Sequence, residues 1–113
     1  MDLEIVSNEL NSKEFVLKTQ RQIIKDFGTV DIFFPEDFAM NPLTMEQLLS
    51  CVSVRLKELD STSKRAFSQL LYHIDLPENL LPALSATDDF FMSLAEVVLK
   101  REAYKVFLRK KYS

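Results

Sequence analysis

The chain has 113 residues but only one glycine, one cysteine and one histidine, and no tryptophan. Each scarcity excludes something. Sandwiches and barrels place glycine at many turns, so the lone Gly28 argues against an all-β fold. A single cysteine, Cys51, allows no intrachain disulfide. No apolar run approaches the roughly 18 residues that span a bilayer, so no membrane partner is expected. The opening stretch, MDLEIVSNEL, is acidic and lacks the basic region and long apolar run of a secretory signal. The expected compartment is therefore cytoplasmic. What is present is an ordinary globular mixture, 47% hydrophobic and 27% charged. At this length it predicts one helical domain over residues 1–113, with a core that needs no metal or disulfide.

The charge is uneven. The net charge is −3, from 14 cations and 17 acids. Residues 100–113 hold six of the cations and one acid, a local +5, which leaves −8 on the rest of the chain. That asymmetry is the strongest deviation in the sequence.

Helix punctuation recurs along the chain. In LNSKEFVLKTQRQIIKDFG, Asn11 with Glu14 forms a capping box, Leu10 and Phe15 form a staple, and Gly28 sits where a left-handed C-terminal residue is expected. Phe15, Val16, Ile23, Ile24 and Phe27 recur at helical spacing. In PLTMEQLLSCVSVRLKELD, Thr44 with Gln47 repeats the box, Leu43 with Leu48 the staple, and Leu48, Leu49, Val52, Leu56 and Leu59 make the stripe. The cluster DSTSK breaks the chain. KRAFSQLLYHIDL supplies a third helix that Pro77 should stop. Thr87 caps a last helix, with Asp88 and Asp89 at its positive end, that can run almost to Ser113. The fold class is all-α: a four-helix bundle-like array with a long C-terminal helix. LEIV near the start and TVDIFF after Gly28 could add a short N-terminal β-ribbon, since Val30, Ile32 and Phe34 alternate.

The stretch VDIFFPEDFAMNPLT carries Phe33, Phe34 and Phe38 between two prolines. Left free, it would be a large apolar patch. Burying its phenylalanines contributes about 1.5–3 kcal/mol each, so it is read as a lid over one end of the helices, with a partner-binding loop as the other reading.

Motifs that name a chemistry are absent. Asp26-Phe27-Gly28 spells a kinase tripeptide but lacks every other part of that signature. His73, with Asp75 and Glu78 close by, has no nucleophile or oxyanion site in its sequence neighbourhood. Cys51 borders an apolar stripe, as a small buried thiol does. Glu36-Asp37 and Asp88-Asp89 are adjacent residues that point apart on a helix, so no metal site is expected. No cofactor or small-molecule ligand is expected either.

The last helix carries the functional reading. It is apolar on two sides between Phe90 and Leu99, so it is either the central helix or meets a second copy of the chain. Met92, Leu99 and Val106 repeat every seven residues, with Ala95 between the first two, and would form the seam of a homodimer. If the helix outruns its neighbours by two turns, its basic end projects. Arg101, Lys105 and Arg109 are then spaced to share one face and hold a protein partner. The expected function is a small non-enzymatic helical protein–protein interaction module that self-associates. The alternative is a nucleic-acid-binding protein using the same basic helix with Tyr104 and Tyr112, which the overall acidity disfavours. A small enzyme is the third reading.

Overall fold

A computed structural model describes residues 12–76 and 79–112. Among them are five α-helices and one 3₁₀ turn, and no strand: α1 (Lys13–Gly28), the 3₁₀ turn (Glu36–Ala39), α2 (Met45–Thr62), α3 (Lys64–Ile74), α4 (Leu80–Ser85) and α5 (Phe90–Tyr112). The fold is all-α. Residues 29–34 are turn and irregular backbone, so the second strand of the expected ribbon does not form. Its first strand, residues 3–6, lies outside the described residues, as does the Asn11 cap. None of the described helices is long and apolar enough to cross a membrane.

The caps explain the helix ends. Ser12 caps α1 and accepts from the Phe15 N–H at 3.3 Å. Gly28 stays inside α1, and Thr29 takes over as the C-cap in ordinary right-handed geometry. The left-handed residue comes later, at Asp31 (φ 62°), a conformation that aspartate tolerates better than most residues. The Thr44–Gln47 capping box forms as the sequence suggests. Only Ser63 of the DSTSK cluster leaves the helical conformation. It ends α2 and caps α3, accepting from the Ala66 N–H at 3.1 Å. α3 stops before Pro77 because Asp75 turns left-handed (φ 68°). The Asp75 and Leu76 N–H groups then bond back to Tyr72 and Leu71, a Schellman closure. Asp89, not Thr87, caps α5 through the Met92 N–H.

α5 is the central helix. It packs against α1, α2, α3 and α4. Leu94, Ala95, Val98, Leu99, Ala103 and Val106 are all buried on it, which accounts for its apolar second side. Its 23 residues are roughly 34 Å long. The expected two-turn projection shrinks to the exposed last turn, residues 109–112, because Phe15 of α1 packs against Ala103 and Val106.

The crossover from α1 to α2 is pinned from below. Gln20 of α1 is fully buried. Its amide donates to the Phe38 carbonyl (2.7 Å) and the Asn41 carbonyl (2.9 Å), and its oxygen accepts from the Leu43 N–H (2.8 Å). One side chain thus satisfies three backbone groups of the loop. Phe38 is buried, and Phe34 stacks on it at 4.4 Å while meeting Phe27 edge-on at 5.5 Å. Arg55 of α2 covers the Phe34 ring at 4.4 Å. Two of the three phenylalanines therefore close the core. Phe33 does not, being 73% exposed.

Candidate functional site

The polar face of α1 and the C-terminal half of α5 hold most of the molecule's unusual chemistry. Asp26 is buried on α1. Its carboxylate receives Lys105 Nζ at 2.8 Å, the Gln22 amide at 3.1 Å and lies 3.3 Å from His73 Nε2. Beside it is Glu102, also fully buried. No hydrogen-bond donor among the described residues reaches either Glu102 oxygen, so the carboxyl bonds to Asp26 only as a donor, with its own proton on. Burial, reinforced by the neighbouring Asp26 charge, pushes the Glu102 carboxyl up to about 9. Glu102 is therefore protonated at neutral pH. Burial alone would also raise Asp26, but the Glu102, Lys105 and Gln22 donors outweigh it and hold Asp26 below its ordinary value. The pair carries one proton and one negative charge, which Lys105 balances.

This network decides where the expected basic face goes. Arg101, Lys105 and Arg109 do share one side of α5, but that side is turned toward α1 and α3. Arg101 pairs with Asp75 at 3.3 Å. Lys105 is held by Asp26 and reaches the His73 carbonyl at 3.5 Å. Arg109 donates to the Gln22 oxygen. Two of the three cations are thus neutralised within the chain, so the row does not form an open partner surface. The dimer seam is likewise occupied. Ala95, Leu99 and Val106 are buried by the chain's own helices, and only Met92 keeps substantial exposure, 38%. His73 meets Asp26 rather than Asp75. Cys51 is half-buried and lies 3.6 Å from Arg55, and burial pushes its thiol up against the opposing pull of the Arg55 charge.

A different basic surface takes the place of the expected one. An open cleft of about 610 Å³ lies between α1 and α5. It is lined by Lys18, Arg21, Gln22 and Lys25 of α1 and by Val106, Arg109 and Lys110 of α5. Among the described residues five cations line it and no carboxylate does. Lys18, Arg21 and Lys25 fall at i, i+3 and i+7, which puts them on one face of α1. Lys18 pairs with Glu14, one turn back on α1, at 3.3 Å in a solvent-exposed pair, and such pairs contribute little. Two arginines are oriented by fixed acceptors. Arg21 Nε donates to the Ala39 carbonyl at 3.1 Å, and Arg109 to Gln22. Gln22 also donates to Asp26, so its amide links the cleft wall to the buried carboxyl pair.

The sequence signal for this cleft existed in the polar positions of α1, where three cations recur at helical spacing. They lie on the side of α1 away from its apolar stripe, where cations are also common on any solvated helix face. Glu102 was also legible, as an acid lying on the apolar stripe between Leu99 and Val106. Its meeting with Asp26 was not, because 76 residues separate them. Among the described residues no group of three or more metal-ligating side chains converges. No family model matches the chain, and no curated protein or solved structure matches it.

Proposed function

We propose that this chain is a non-enzymatic interaction module, built as a bundle-like array of its four longer helices, that docks an acidic segment of a partner protein in the α1–α5 cleft. The observation that carries this reading is the cleft's lining among the described residues, five cations and no carboxylate on two packed helices. The remaining surface supports a short ligand. Outside those five residues the chain holds nine cations against 17 acids, a net −8. A long polyanion extending past the cleft meets that field, whereas a short acidic segment meets only the cleft. Among the described residues no aromatic side chain lines the cleft, so a nucleobase finds no stacking platform there. The basic end of α5 thus contributes through Arg109 and Lys110, with α1 supplying the rest.

The test is fluorescence anisotropy with a labelled oligoglutamate peptide and a labelled single-stranded oligonucleotide at about 150 mM salt. The module reading expects the peptide to bind, the oligonucleotide to bind more weakly, and Arg21→Glu with Lys25→Glu to abolish peptide binding. Lys57→Glu, which alters an exposed cation on α2, should leave it nearly intact. Tighter binding of the oligonucleotide, lost in the same double variant, puts the nucleic-acid reading first.

A further inference from the structure

The dimensions and charge of the cleft narrow the kind of acidic segment it takes. On α1 its cations run from Lys18 to Lys25, seven residues apart, which is roughly 10 Å along the helix. An extended peptide crosses that distance in about three residues, and alternate side chains point the same way. Only two side chains of such a segment can therefore enter the cleft together. Two carboxylates bring a charge of about −2, against five lining cations. Two phosphoryl groups bring about −3 to −4 and three acceptor oxygens each.

The donors also suit phosphoryl oxygens. Arg21 spends its Nε on the Ala39 carbonyl, which holds the guanidinium in place and leaves its two terminal nitrogens available to a ligand. Arg109 enters from the opposite wall, held by Gln22. Arginines oriented before binding lose little rotamer freedom when they grip a planar or tetrahedral anion. Lys18, Lys25 and Lys110 add further positive charge around the pair.

We infer that the α1–α5 cleft is a recognition site for a partner-protein segment carrying two phosphorylated side chains at alternate positions, gripped by Arg21 and Arg109. This rests on the docking function proposed above and specifies its ligand. The Gln22 amide gives such a site a built floor, since it joins Arg109 to the buried Asp26.

The experiment is calorimetric titration of the full chain with three probes. The first is a ten-residue Gly/Ser peptide with two phosphoserines at alternate positions, the second is the same peptide with glutamate at both, and the third is inorganic pyrophosphate. The inference expects the phosphorylated peptide to bind at least about ten-fold more tightly than the glutamate peptide. Arg21→Glu with Lys25→Glu should remove that binding, Lys25→Ala should weaken it part-way, and Lys57→Glu should spare it. All of these positions are exposed, and circular dichroism checks that each variant stays helical. Equal affinity for the two peptides overturns the phosphoryl assignment while the acidic-segment reading stands. Binding of neither peptide overturns both. Pyrophosphate binding as tightly as the phosphorylated peptide overturns the protein source of the phosphoryl groups.

Discussion

Replacing Glu102 with glutamine should change how the protein's stability depends on pH. Glu102 is fully buried, and its carboxyl is pushed from 4.5 up to about 9. A folded-state pKa above the unfolded one means that this group's contribution is fully present below pH 4.5 and is lost as pH rises toward 9. Between those limits the folded state holds one proton that the unfolded state has released. Stability then falls by about 1.4 kcal/mol per pH unit on account of this group alone. At pH 7, which is 2.5 units above 4.5, the loss is about 3 kcal/mol. Glutamine mimics the protonated carboxyl and cannot ionise, so the variant lacks this slope. Its extra amide hydrogen is left without a partner, a cost of about 1–3 kcal/mol that does not vary with pH. The slope is therefore the quantity to read, not the absolute stability. Asp26 does not confuse the comparison, because its lowered pKa confines its own contribution to acid pH, below its ordinary 3.8. Urea unfolding followed by circular dichroism, from about pH 5.5 to about pH 8.5, gives both curves. The variant should gain on the wild type by up to about 4 kcal/mol across that range. Parallel curves would refute the claim that Glu102 folds with its proton on.

Three further substitutions test the α1–α2 crossover. Phe34→Ala should cost about 3 kcal/mol, the low end for a core aromatic, because the ring stacks on Phe38 but is only half-buried. Phe33→Ala, at a residue 73% exposed, should cost less than about 0.5 kcal/mol, both changes being read by the same urea unfolding. Gln20→Ala should cost about 2–4 kcal/mol, since it strands the Phe38 carbonyl and weakens the hold on Asn41 and Leu43. Hydrogen exchange in that variant should rise at residues 38–43 before it rises in α2.

Local grammar made the helices legible. The Thr44–Gln47 box forms as read, and Phe34 and Phe38 close the core as a lid should. The misplacements have local causes as well. Ser12 caps the first turn, and Asp75 ends α3 with a left-handed turn that a proline rule does not foresee. The site was less legible, because its parts come from distant segments. The Arg101, Lys105 and Arg109 spacing was readable, but spacing does not say what a face meets. Asp26 and Asp75, on elements remote in sequence, turn two of those cations inward. The seam through Ala95, Leu99 and Val106 has the same ambiguity, since a buried central helix and a dimer interface share one apolar pattern. Gln20, Gln22 and Thr19 are polar residues that became buried because each found a partner, and no pattern in composition marks such a pairing in advance.

The claim that the α1–α5 cleft is where this chain meets an anionic partner is tested most directly by locating the contact. Titrating the isotope-labelled chain with the doubly phosphorylated peptide, and following backbone amide shifts, reads the position residue by residue. The account predicts that Lys18, Arg21, Gln22 and Lys25 on α1 and Val106, Arg109 and Lys110 on α5 shift first and saturate together, those being the residues that line the cleft. Saturable shifts centred instead on the exposed Phe33, Met40 and Met45 of the crossover region, with the cleft amides unmoved, would contradict it.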